Sequence, residues 1–187
     1  MNILIITAHP TSRNLTTEIA KIYKNEKESR GDSVEVVDLY HDREQPFYTF
    51  EDAHNTTLTD DQKYYQQKIK KADEIVFVYP FWWGGTPAIL KNWIDWNLTI
   101  GFAAHYVNGR PKGLLQGKSV KVFSTCGAPK FYYIFTGVHF AVKKIWKQTI
   151  VEFCGMKFDG YYLFGGVDTL GEKVDKIFEK IKEIAKN

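Results

Sequence analysis

Two cysteines, Cys126 and Cys154, are all the chain has in 187 residues. They fall in separate predicted elements without a CxxC spacing. Neither a disulfide framework nor a zinc motif is available, and a reducing compartment is expected. No apolar run approaches the roughly 18 residues of a membrane span. The opening MNILIITAHP lacks the basic flank and small-residue cleavage site of a secretory signal. The chain is therefore expected to be cytoplasmic and without a membrane span. HxxxH and paired acidic patterns are missing too, so no metal site is expected. Also absent are GxGxxG, which a nicotinamide-binding Rossmann fold uses, and the GK[ST] of a P-loop. A net charge of +3 is spread thinly, with no basic block and no alternating basic–aromatic ribbon. That excludes an obvious nucleic-acid surface and leaves a mild attraction for phosphorylated small molecules. No linker, repeat or low-complexity segment divides the chain, and residues 1–187 read as one domain.

Aromatic rings, by contrast, are plentiful at 16% of residues, and many follow apolar runs. Ile3–Ala8 is a β-branched run of the kind covered on both faces in a parallel sheet. Ser33–Leu39, Glu74–Val78, Ser119–Thr125 and Phe158–Phe164 repeat that signal. Between them, Leu15, Ile19, Ile22 and Tyr23 recur at helical spacing, with Ser12 or Asn14 as cap. Tyr65, Ile69 and Ala72 give a second helix an inward face. Ala88–Trp96 is helical and apolar on more than one side, which calls for a partner beyond its own sheet and suggests a subunit interface. Val138–Thr149 is predicted helical with Val138, Val142, Ile145 and Trp146 inward, and Val174–Ile184 is an amphipathic C-terminal helix. Tyr40–Thr59 and Leu98–Gly117 read as irregular, the former long enough to be functional or mobile. Strand and helix thus alternate five times, which implies a flavodoxin-like doubly wound parallel sheet of order 2-1-3-4-5 with helices on both faces.

In such sheets ligands sit beyond the carboxyl ends of the strands, near the switch between the first and third. Three loops are expected to converge there. The first, HPTSRNL (His9–Leu15), opens a helix, where free N–H groups, the dipole and the side chains of His9, Thr11, Ser12 and Arg13 suit a phosphate. A plain capped turn is the simpler reading of those residues alone. The second, YPFWWGGTP (Tyr79–Pro87), places Pro80, Phe81, Trp82 and Trp83 as a rigid apolar wall. Gly84 and Gly85 let backbone approach whatever lies against it. Adjacent tryptophans are hard to bury together where a chain must turn, so a flat conjugated ligand such as a flavin is the expected occupant. The third, Thr125–His139, brings backbone N–H groups near Thr125 and Gly127, then Tyr133 and His139. A hydroxyl and an imidazole suit negative charge that builds on a flavin as it takes up hydride, and a histidine can deliver a proton near neutral pH. Taken alone, a histidine at a helix start more often caps or lies exposed. Cys126 is read as a small buried residue.

These residues resemble the NAD(P)H:quinone oxidoreductase family, of the DT-diaphorase and drug-activity-modulator type. The segment Tyr79–Asp95 (YPFWWGGTPAILKNWID) is close to its P-x-x-W-x-x-x-P-A-x-L-K-x-W pattern. Thr125–Gly127, the Tyr133…Gly137-Val138-His139 spacing and Phe153–Gly155 match as well. The resemblance implies a homodimer with FAD, or FMN in shorter members, and ping-pong hydride transfer from NAD(P)H to a quinone-like acceptor. It implies that Pro80, Phe81, Trp82, Trp83 and Gly84 flank the ring, and that Thr125 and Gly127 meet its polar edge. Tyr133 and His139 would be catalytic, His9, Ser12, Asn14 and Leu15 would hold the phosphate end, and Phe102 and Tyr106 would line the substrate pocket of the partner subunit. The first loop is shorter than in DT-diaphorase, and Ala128-Pro129 replaces part of a glycine-rich run. Two other roles fit the same fold: a one-electron flavodoxin-type carrier, and an accessory regulatory subunit of a potassium-efflux transporter. Carriers of that type are typically acidic and have no use for Tyr133 and His139, which favours the enzyme.

Overall fold

In a computed structural model, which describes residues 1–54, 57–167 and 172–186, the apolar run at the N-terminus is the middle of the molecule. Ile3, Leu4, Ile5 and Ile6 are at most 2% exposed. Their strand β1 (Asn2–Thr7) pairs in parallel with β2 (Ser33–Asp38) on one side and β3 (Glu74–Pro80) on the other. Beyond β3 come β6 (Ser119–Cys126) and β7 (Lys157–Gly165), also parallel. The sheet order is β2-β1-β3-β6-β7, the flavodoxin-like order expected from the sequence.

Side chains alternate across this sheet. Ile3, Ile5, Val76, Val78 and Phe123 face α1 (Leu15–Glu28) and α7 (Glu172–Lys186) through Ile19, Tyr23, Ile181 and Ile184. Leu4, Ile6, Phe77, Tyr79 and Val122 face the other layer through Tyr65, Leu90, Trp93 and Trp146. That layer is α3 (Asp60–Lys71), α4 (Ala88–Asn97), α6 (Val138–Lys144) and the π-helix Ile145–Glu152. Asn14 caps α1, its Oδ1 accepting from Thr17 N–H at 2.8 Å. A Thr59/Gln62 capping box opens α3.

Four details add to the sequence reading or differ from it. Leu98–Gly117 contains an antiparallel hairpin, β4 (Ala104–Val107) and β5 (Arg110–Gly113). Its strands are short and half exposed, so they carry no long apolar alternation. Ile145 is not inward but 52% exposed. The change to π geometry after Lys144 shifts the facing, and Trp146 and Val151 take the buried positions. The predicted irregular stretch holds a short helix α2 (Phe50–His54), while Asn55 and Thr56 lie outside the described residues. Finally, α4 has contacts beyond the sheet within its own chain. Trp96 Nε1 donates to Pro46 O at 2.7 Å, Asn92 Oδ1 accepts from Tyr48 N–H at 2.9 Å, and Tyr48 packs edge-on against Trp96. Residues 46 and 48 thereby lie against Trp96 and Asn92 of α4.

Candidate functional site

Three loops leave the carboxyl ends of β1, β3 and β6 and touch one another. His9 in the first lies against Trp82 in the second, ring centroids 6.1 Å apart. Phe81 in the second meets Tyr133 in the third edge-on at 5.1 Å, and its N–H donates to Thr125 O at 2.7 Å. The three turns singled out in the sequence therefore form one edge.

The first loop is ordered by its own side chains. His9 Nδ1 accepts from Thr11 N–H at 3.2 Å, and Asn14 Nδ2 donates to Thr17 Oγ1 at 2.9 Å and to Thr11 O. Capping occupies Asn14, leaving Ser12 and Arg13 exposed and Leu15 half-buried at the start of α1. Burial pulls the His9 pKa below its usual value, against the opposing influence of the Thr11 contact and of Asp38.

The second loop is a tight turn. Trp82 and Gly85 exchange N–H···O bonds of 3.2 and 2.9 Å, and the two residues between them have positive φ, 50° at Trp83 and 80° at Gly84. That is the backbone of a type I′ turn, which glycine adopts freely and a tryptophan does not. Trp83 is held in this left-handed conformation with its whole side chain in solvent, at 106% exposure, beside a half-exposed Trp82. Pro80 and Phe81 are buried behind them. Within the turn, the Gly85 N–H is spent on Trp82 O. Those of Trp83 and Gly84 are the ones without a protein partner among the described residues.

The third loop contains an unforeseen helix, α5 (Lys130–Phe135), whose residues all remain at least partly exposed. Thr125 is buried at the strand end and Gly127 half-buried after it. Tyr133 stands half-buried between Phe81 and Tyr132, and burial raises its pKa. His139 is the second residue of α6, after Gly137, which takes φ 78° to reverse the chain. It is only 8% exposed, and its Nδ1 is buried with no hydrogen-bond partner. Burial, then Lys130 and Lys143, lower its pKa. A buried imidazole nitrogen without a partner is costly as structure alone.

Phe102 and Tyr106 are not brought to this edge within one chain. Lys70 Nζ lies over the Phe102 ring, 5.6 Å from its centroid, and Tyr106 is exposed on the hairpin. The segment after the hairpin is tied at the opposite end of the sheet, Leu115 N–H donating to Cys154 O at 2.9 Å. The sequence reading gave no role to the buried Tyr79, Ser124 and Tyr161, of which Tyr161 packs against His139 and Tyr79 and Ser124 pair across the sheet. Their signal was a hydroxyl at an inward position of each apolar strand.

A doubly wound parallel sheet with an aromatic cleft at the strand carboxyl ends and free N–H groups in its turns defines a flavodoxin-like protein. The chain belongs, over residues 1–187, to the family described as flavodoxin-like fold. It is similar to an uncharacterized NAD(P)H oxidoreductase of Haemophilus influenzae, 34% identical over 180 residues that cover 94% of this chain and 89% of the relative. It matches the solved NAD(P)H:quinone oxidoreductase from Methanothermobacter marburgensis with TM-score 0.91 at 22% identity, covering 100% of this chain and 98% of that one. An FMN-dependent NADH-azoreductase from Bacillus anthracis, solved in complex with FMN, matches with TM-score 0.78 at 19% identity over 99% and 97% of the two chains. At such identities the solved structures attest the fold. Among the described residues no group of His, Cys, Asp and Glu could hold a metal, and no helix is long and apolar enough to cross a membrane.

Proposed function

We propose that the chain is a flavin-dependent NAD(P)H:quinone oxidoreductase, passing two electrons from NAD(P)H to a quinone-like acceptor by ping-pong hydride transfer. The observation that carries this is the meeting of the three loops, His9 on Trp82 and Phe81 on Tyr133, in a chain one-third identical to an NAD(P)H oxidoreductase. The residues fit a flavin. A solvent-facing indole held at positive φ and two unspent N–H groups form a wall and a polar edge for which the protein itself has no use. A bound flavin supplies the site that accepts hydride and hands it on.

Pro80, Phe81, Trp82 and Trp83 would flank its ring, with Thr125 and Gly127 at the polar edge beside the N–H groups of Trp83 and Gly84. His9, Ser12, Asn14 and Leu15 would hold the phosphate end at the α1 N-terminus. Tyr133 and His139 stabilise the negative charge that hydride brings to the pocket, by hydrogen bonds that strengthen as the charge grows. FAD is the cofactor we favour, with FMN as the alternative that the azoreductase complex illustrates. A homodimer would complete the site, Phe102 and Tyr106 lining the pocket of the second copy. Cys126 and Cys154 form no disulfide, which suits a cytoplasmic location.

The test is the absorption spectrum of the purified protein, the mass of the released cofactor, and NAD(P)H oxidation with a quinone and no partner protein. A yellow protein that turns over establishes the reading. A protein that binds no flavin, or binds one without turnover, overturns it, the latter in favour of an electron carrier.

A further inference from the structure

Beside the cleft, α5 and α6 present rings to solvent. Phe131, Tyr132, Ile134 and Phe135 of α5 are exposed, Phe135 at 92%, and only Tyr133 turns inward, onto Phe81. On α6, His139 and Val142 are buried. Phe140, Lys143 and Lys144 fall on the solvent side at i, i+3 and i+4, the spacing of one helix face. The two helices pack against each other. Phe140 meets His139 edge-on at 5.4 Å, and Lys130 of α5 and Lys143 of α6 both stand near enough to act on that histidine's charge. Rings and cations thus share one face.

Charge singles out what this face fits. From Cys126 to Val151 the chain has four lysines, Lys130, Lys143, Lys144 and Lys147, and no aspartate or glutamate. All four are exposed, and only Lys147 is in an ion pair among the described residues, with Glu152 at 3.8 Å. A second copy docked through the same face would set these lysines against their own symmetry mates, and like charges across a contact oppose association. A bilayer with anionic headgroups meets both properties at once. Exposed rings enter the boundary between headgroups and acyl chains, and lysines lay their stems on apolar surface and keep their ammonium groups at the phosphates. No helix among the described residues is long and apolar enough to cross a membrane, so the contact is with its surface.

We propose that the α5–α6 face docks the protein on an anionic phospholipid bilayer, with Phe131, Phe135 and Phe140 as its apolar part and Lys130, Lys143 and Lys144 as its cations. Tyr132 of the same helix lies edge-on to Tyr133 of the pocket at 5.5 Å. Docking therefore brings the cleft to the layer in which a quinone with a long apolar tail dissolves. That consequence, though not the docking itself, rests on the proposed quinone reading.

Flotation of the purified protein with lipid vesicles reads the docking directly. The parent should float with phosphatidylcholine–phosphatidylglycerol vesicles, stay behind with phosphatidylcholine alone, and be released by high salt. Phe131→Ser with Phe135→Ser, and separately Lys143→Gln with Lys144→Gln, should each weaken binding about tenfold. Both should keep native circular dichroism and the parent's rate with a short water-soluble quinone, and lose rate with a long-tailed quinone held in the vesicles. A parent that does not float with the anionic vesicles overturns the proposal. So does equal binding to both kinds of vesicle, or a pair of variants that float as well as the parent. Variants of native circular dichroism that sediment as a smaller species than the parent give the face to a second copy, which overturns it too. Vesicle binding without any quinone turnover would sink the proposed function and leave the docking standing.

Discussion

The two ends of the sheet treat buried polarity in opposite ways. At the amino ends of the strands, Glu74 and Lys121 are an ion pair at 2.5 Å with side chains 2% and 7% exposed. Tyr23 donates to the other Glu74 oxygen at 2.6 Å, and Asp159 adds a second carboxylate 3.8 Å from the lysine. Nearby, Lys118 Nζ donates to Ala72 O and Lys70 O at 2.6 and 2.7 Å. Charges are buried there, but each is answered. At the carboxyl ends it is neutral groups that go unanswered: His139 Nδ1, Tyr161 Oη and Ser124 Oγ are buried without partners, while Trp83, Phe131 and Phe135 stand in water. One end is finished as protein, and the proposed function has a ligand finish the other. Stability and activity should therefore separate along the strand axis.

Breaking the amino end should give the largest effect. Glu74→Ala leaves Lys121 buried with only the more distant Asp159 and removes the acceptor of Tyr23. Loss of one partner of a buried pair costs about 3–5 kcal/mol, and the urea midpoint should fall accordingly, with the bound flavin spectrum unchanged in the protein that remains folded. A midpoint within 1 kcal/mol of the parent would erase the contrast between the two ends. At the other end, His139→Ala should slow flavin reduction by NAD(P)H on the order of 10²-fold, about 2.7 kcal/mol in the barrier. Flavin should stay bound and the urea midpoint should hardly move. Unchanged stopped-flow bleaching would remove His139 from the chemistry.

The amino-end network was illegible in the sequence. Glu74 opens its strand and Lys121 stands within another, and both look like ordinary strand-edge charges until the register brings β3 beside β6. The strand order and the three loops, by contrast, could be read directly. Continuous β-branched runs mark doubly covered strands, and a Trp-Trp-Gly-Gly turn has few uses besides facing something flat. What pattern could not give was partnership. The apolar second side of α4 suggested a subunit, and pattern could not show that residues 45–48 of the same chain lie against Trp96 and Asn92. The register of Ile145 was lost because helical periodicity assumes α geometry, and the chain changes to π there. Tyr161 and Ser124 passed unnoticed because a single hydroxyl in an apolar strand matters only once its neighbours across the sheet are known.

A smaller effect sharpens the contrast at Trp83. Its side chain is fully exposed, so removing it takes no packing from the fold, while its φ of 50° is strained for any residue with a Cβ. A Cβ added at the neighbouring Gly84 would meet nothing within 4 Å, so the strain in this turn is conformational and not a clash. Trp83→Gly should therefore be more stable than Trp83→Ala by about 1 kcal/mol in urea unfolding, while both purify with less flavin than the parent. Equal stability of the two variants would mean that the turn relaxes. Undiminished flavin in both would remove the indole from the binding wall.

The smallest effect is one of pH. His9 and His139 are both held below the ordinary histidine value of 6.5, burial being the largest cause in each. Unfolded, they take up protons around pH 6.5; folded, they do so only at lower pH. Between those limits the unfolded chain binds more protons, so stability rises with pH. The contribution is complete above 6.5 and is lost as pH falls through the folded values. The carboxylates whose pKa is lowered, Asp32, Asp60 and Glu179, titrate below this window. The urea midpoint should thus be flat from pH 8 to 7 and fall between pH 6.5 and 5. His139→Gln should make that fall shallower by removing one of the two sites, both of which lie at the carboxyl end. If the midpoint instead falls equally in His139→Gln, the acid sensitivity belongs to other groups, and the carboxyl end loses its claim to be the part of this fold that acid weakens first.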